Sequence, residues 1–145
     1  MSDQLNGKPS TNFWIIGGAA LVWNLIGLAF YIGQVTMTPE ALAQMTEEIQ
    51  EFFLATPVWS NGAYAIAVNA GVLGSALLLL RKSWAVPMYM LSMLGIVVQD
   101  IDAFVLRDAF SIVGIGSLIV PSMVFVIGIA LILYSRAAKA RGWLN

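Results

Sequence analysis

Eight side chains capable of polar chemistry lie within or at the rims of apolar runs: Asn24, Tyr31, Gln34, Asn61, Tyr64, Asn69, Gln99 and Asp100. Amides, phenols and a single carboxylate can hold a small polar solute or an ion through donors and acceptors carrying at most one negative charge. Covalent chemistry has no such footing, because no nucleophile–base pair or metal-ligand cluster is visible in the sequence. The chain contains no Cys and no His. That removes thiolate metal sites, imidazole ligation of haem or copper, and the usual general base at neutral pH. We expect no catalytic residues, no metal and no cofactor, and a protein that is not an enzyme.

Asp100 carries the sharpest signal. Trp84 to Val98 is about fifteen residues, fewer than the ~20 a helix needs to cross a bilayer. A crossing helix must therefore carry Gln99-Asp100-Ile101-Asp102 through its outer end to reach Leu106. A carboxylate near mid-membrane costs on the order of 2.5–3.5 kcal/mol on insertion scales, and less towards the interface. Asp100 is thus expected to face the bundle or water and not lipid, or else to be protonated through desolvation. Asp100, Phe104 and Arg107 recur at helical spacing, which makes Arg107 its expected partner. Three readings are open: a proton- or cation-binding carboxylate with Gln99, Asn61 and Gln34 as neutral ligands; an outer vestibule of Gln99, Asp100 and Asp102 that orients a small solute; or a helix end whose acids reach headgroup water.

The amides make a second pattern. Asn24, Gly27, Tyr31 and Gln34 fall on one helical stripe. Asn24 and Asn69 are central in consecutive antiparallel spans, so they come to similar depth and are expected to bond to each other, or else to contact a ligand. Such bonds contribute on the order of 0.6 kcal/mol on average. Gly71, Gly74 and Ser75, and likewise Gly114, Gly116 and Ser117, read as close-packing positions. Pro121-Ser122 reads as a kink at the midpoint of the last span, opposite Asn24 and Asn69.

The elements that must position these groups are four long apolar stretches: about Phe13 to Val35, Val58 to Leu80, Trp84 to Leu106 and Phe110 to Tyr134. Hydrophobic residues make up 59% of the chain and charged residues 10%, against ~25% charged in soluble domains. Lipid must be the solvent for much of the surface. The expected fold is an all-α four-helix transmembrane bundle, one integral membrane domain over residues 1–145, with a short amphipathic helix at about 39–54 in the outward loop between spans one and two. The first stretch is too long for a signal peptide and reads as a retained span.

Orientation follows from charge. Lys8, Arg81, Lys82, Arg136, Lys139 and Arg141 gather on one side, and only Arg107 lies opposite. The positive-inside rule places both termini in the cytoplasm. Trp14, Trp59 and Trp84 mark span ends, where an amphipathic ring favours the headgroup region. In the outward loop, Thr38-Pro39-Glu40 supplies a cap, a first-position proline and an acid in the first turn. Leu42, Met45, Ile49, Phe52 and Phe53 then form an apolar stripe, with Glu47, Glu48 and Glu51 off it. Short matches between spans one and three, and between spans two and four, outline a weak tandem repeat.

Trp23-Asn-Leu-Ile-Gly, Thr56-Pro-Val-Trp59, Gly74-Ser-Ala-Leu-Leu-Leu-Leu-Arg-Lys82 and Gln99-Asp100 resemble a group of small four-span bacterial inner-membrane proteins often catalogued as sugar transporters. The resemblance covers most of the chain. It implies a bacterial inner-membrane location and a solute-transport role. The chain is much shorter than well-defined transporters and lacks the first-span glutamate typical of small multidrug exporters. Two functional expectations stand: a solute or ion permease acting as a homo-oligomer, lined by the eight residues above, or a non-catalytic accessory subunit of a larger membrane complex. Nucleic-acid binding is not expected, since the basic residues serve as topology determinants.

Overall fold

A computed structural model of the chain describes residues 7–145; the polar residues 1–6 lie outside them. Every regular element among the described residues is helical. Backbone groups in hydrocarbon must bond within their own segment, and helices do this residue by residue. Four helices are long and apolar enough to cross a membrane: α1 (Thr11–Val35), α4 (Val58–Leu79), α5 with its continuation (Ala85–Leu106) and α7 (Gly116–Ala140). Between α1 and α4 lie α2 (Pro39–Ala43) and α3 (Glu47–Leu54), and α6 (Ala109–Val113) precedes α7.

Three boundaries differ from the sequence reading. The outward loop holds two helices in place of one over 39–54. Thr38 Oγ1 accepts from Ala41 N at 3.2 Å and Thr46 Oγ1 from Ile49 N at 3.4 Å, so a second threonine cap followed by Glu47 and Glu48 restarts the helix. The stripe survives the break: Leu42, Met45, Ile49, Phe52 and Phe53 are half-buried and the four loop glutamates exposed. The last span begins at Gly116, not Phe110, and runs to Ala140. Gly114 adopts φ +82°, a left-handed conformation glycine tolerates, and separates α6 from α7. Gly114 is therefore a turn residue and Gly116 the first residue of α7, each with open space where a Cβ would sit. Pro121 consequently lies in the second turn of α7, near the loop end, and not at mid-span opposite Asn24 and Asn69.

The third span continues past Asp100 as a π-helical segment, Ile101–Leu106. It does carry Gln99 to Asp102 within the helix. The wider turn appears in the backbone bond from Arg107 N to Asp102 O at 3.0 Å.

The helices pack in chain order, α1 on α4, α4 on α5 and α5 on α7. The α4–α5 seam is the tightest. Ser92 Oγ donates to Ala67 O at 2.6 Å across it, and a Cβ added at Gly95 would lie 2.6 Å from Ala63 O. Small residues here let two backbones approach. Nine residues of α4 are buried but only Leu131, Ser135 and Ala138 of α7, which leaves most of α7 for lipid or another chain.

The core gathers at the end opposite the loop helices. Phe13, Leu78, Ala85, Ala138 and Leu144 are buried together, and Phe13 stacks near Tyr134 and edge-on to Trp143. Both α4 and α7 end in the same motif. Lys82 N and Arg81 N bond back to Leu77 O and Leu78 O, and Trp143 N and Gly142 N to Ala138 O and Lys139 O. The left-handed residue is Gly142 in one case and Arg81, at φ +58°, in the other. The two ends then join: Asn145 N donates to Arg81 O and Ser83 N to Asn145 O, both at 2.7 Å, while Arg81 Nε donates to Trp143 O at 2.8 Å.

Candidate functional site

At the loop end, two adjoining hollows lie among residues of α1, α3, α4 and α5. One, of about 130 Å³, is lined by Gln34, Phe52, Phe53, Thr56, Ser60, Asn61, Tyr64, Gln99, Ala103 and Arg107. The other, of about 140 Å³, is lined by Gln34, Val35, Met37, Leu42, Phe53, Leu54, Thr56 and Asn61. Sharing Gln34, Asn61, Thr56 and Phe53, they form one cleft, small beside the ~300–1,000 Å³ of pockets for drug-sized ligands. Its occupant must be compact.

The polar wall comes from three spans. Gln34 Nε2 donates to Asn61 Oδ1 at 3.3 Å, joining α1 to α4. Tyr31 and Tyr64 meet edge to face with centroids 5.1 Å apart, one turn deeper. Gln99 faces the same space from α5, and Ser60, at the start of α4, is 1% exposed.

Arg107 holds the roof. Its Nε and one terminal nitrogen donate to Asp102 Oδ2 at 2.9 and 2.6 Å, and the other terminal nitrogen to Phe52 O at 2.8 Å and Thr56 Oγ1 at 3.0 Å. The guanidinium also lies 4.2 Å from the Phe52 ring centroid. Charge-assisted bonds and cation–π contact thus fasten α3 to the third span. Asp102 is 1% exposed, so the pair brings no net charge to the cleft.

The expected Asp100–Arg107 pair is replaced by Asp102–Arg107. A π-helical segment makes residues five apart neighbours, where an α-helix favours three or four. Asp100 is half-buried and lines neither hollow.

The expected Asn24–Asn69 bond is likewise replaced. Asn24 Nδ2 donates to Ala20 O at 2.8 Å and Ser75 Oγ at 3.1 Å. Ser75 Oγ lies 2.9 Å from both Gly71 O and the Tyr89 hydroxyl. Serine has one hydrogen; with it given to Gly71 O, Tyr89 must donate to Ser75. This layer is satisfied and shut: a Cβ at Gly71 would land on the Asn24 amide oxygen, and one at Gly74 would press on the Tyr89 ring. It separates the cleft from the core at the far end. Asn69 lies on the opposite face of α4, exposed, donating only to Ala65 O of its own helix at 2.8 Å.

The structure therefore gathers Gln34, Asn61, Tyr64 and Gln99 in the cleft, places Tyr31 against Tyr64, and leaves Asn24, Asn69 and Asp100 elsewhere. Sequence reasoning missed Thr56, Ser60, Phe52, Phe53 and Arg107 as lining residues. The signal for Arg107 was its isolation from the other basic residues; for Phe52 and Phe53 it was the loop stripe. No family model matches the chain, and no curated protein or solved structure matches it.

Proposed function

We propose that this chain is a small multi-span protein of a bacterial inner membrane, with both termini cytoplasmic, whose outward cleft receives a compact neutral polar solute as the entry station of a permease acting as a homo-oligomer. The observation that carries this reading is the cleft lining: amides and a phenol from three spans with the hydroxyls of Thr56 and Ser60, and its one lining cation, Arg107, already paired with Asp102. Neutral donors and acceptors over aromatic floors suit hydroxyl- or amide-bearing solutes, while a cation would find no free carboxylate there. The resemblance to four-span proteins catalogued as sugar transporters points the same way, and the distribution of basic residues supports the orientation.

The test is uptake of radiolabelled polyols, monosaccharides and small amides, beside sodium and potassium, into proteoliposomes. Asn61→Leu and Gln99→Leu are expected to lower uptake of the preferred neutral solute at least about tenfold, the loss of one or two good hydrogen bonds, and Asp100→Asn to leave it within about twofold. Uptake no better than in empty liposomes defeats the permease reading.

A second reading, an accessory subunit of a larger complex, is favoured by the exposed acidic face of Glu40, Glu47, Glu48 and Glu51 and by the shut layer beneath the cleft. It requires a stoichiometric larger partner in mild-detergent preparations, released when Glu47, Glu48 and Glu51 are changed to Lys. Recovery of the chain with itself alone excludes it.

A further inference from the structure

Asn69 is the one carboxamide well inside a span that faces out. It stands eleven residues from Val58 and ten from Leu79 on α4, so at ~1.5 Å per residue it is about 15 Å from either helix end, near the centre of the hydrocarbon. Its amide spends one hydrogen on Ala65 O. The second hydrogen and the carbonyl oxygen have no partner among the described residues, at a depth where lipid supplies none. The exposed positions flanking it alternate four and three apart: Gly62, Ile66, Asn69, Leu73, with Ala76 half-buried beyond. Ile66 and Leu73 are 48% and 52% exposed, and a Cβ at Gly62 would meet nothing within 4 Å. That spacing is the seam of a left-handed helix pair, in which a single asparagine fixes register.

We propose that this α4 face is the contact surface for a second copy of the chain, with Asn69 on the two-fold axis bonding to its own counterpart. Two copies inserted with the same orientation have parallel α4 helices, so every residue on the axis meets itself at the same depth. Among side chains, a carboxamide is suited to that position, being donor and acceptor at once. Gly62 admits close approach near one end of the seam, and Ile66 and Leu73 pack above and below the amides. The proposal rests on the homo-oligomer part of the transport reading and not on its cleft, which Asn69 does not line.

The absence of cysteine from the whole chain makes the test direct. Single-cysteine variants Leu73→Cys and Ile66→Cys, and Val126→Cys on the exposed face of α7 as control, are inserted into liposomes at high lipid-to-protein ratio and oxidised. The two α4 variants are expected to give a disulfide-linked dimer and the α7 variant none. Adding Asn69→Leu to Leu73→Cys is expected to weaken dimerisation about tenfold, and Asn69→Gln, which keeps donor and acceptor, to restore most of it. Solute binding to the same samples reports on the cleft separately. Equal crosslinking from α4 and α7, a monomer at all dilutions, or a dimer indifferent to Asn69→Leu would each overturn the proposal.

Discussion

Arg107 is the residue on which the cleft's shape turns, because it is shared by the third span and the roof. Its charge is nearly removed from solvent, with side chains 15% and 1% exposed in the Arg107–Asp102 pair. Removing one member of such a pair strands the other, which costs about 3–5 kcal/mol in buried sites, whereas replacing both with apolar groups is often neutral. Asp102→Asn should therefore lower stability by about 3 kcal/mol in detergent unfolding, and Asp102→Leu combined with Arg107→Leu should unfold closer to the parent. A double variant as unstable as the sum of its singles would show that the pair does not act as a unit. This interaction was hidden from sequence reasoning for a definite reason. Residues five apart lie on different faces of an α-helix and become neighbours only where the backbone widens, as it does over Ile101–Leu106. Gln34, Asn61 and Tyr64 were legible because they obey the ordinary period. The bond from Arg107 to the Phe52 carbonyl leaves no trace in any side-chain pattern.

At the scale of elements, the α4–α5 pair is the rigid part and depends on missing side chains. An added methyl at Gly95 would sit 2.6 Å from Ala63 O and 2.9 Å from Ala67 N, both backbone atoms that cannot swing away. Gly95→Ala should force the helices apart, stretch the Ser92–Ala67 bond, and cost on the order of 1–3 kcal/mol, the range for overpacking. Gly33→Ala, in open space on α1, should be neutral or stabilising by up to about 1 kcal/mol from helix propensity. Measured unfolding in the reverse order would contradict the close-packed seam. The four apolar helices were legible from length and hydropathy. The start of the last one was not, because Phe110 to Val113 is as apolar as a span and only the left-handed turn at Gly114 divides it from α7. The loop's single expected helix failed similarly: the stripe continues across Gln44–Thr46, and a periodic pattern cannot report a break that preserves its phase.

At the scale of the whole molecule, polarity is sorted into an open layer under the loop helices and a locked layer of Asn24, Ser75 and Tyr89. On the proposed permease reading, a solute in the cleft would meet that lock before the far side. Ser75→Ala leaves Asn24 and Tyr89 without their shared partner, and should cost about 1–3 kcal/mol while leaving solute affinity in the cleft within about twofold by calorimetry. A large loss of affinity would mean that the two layers communicate. Asn69 could not be placed from sequence at all: central depth was legible, but the facing direction of α4 depends on which neighbours it chooses.

The hydrogen bonds joining Asn145 to Arg81 and Ser83 have a mechanical corollary. They clasp the fourth span to the middle pair at one extremity only, and the aromatic group around Phe13 reinforces the same extremity. A bundle cinched at its base can splay only at its mouth, so any breathing of these rods swings widest where the cleft lies and least where the tail is tied down.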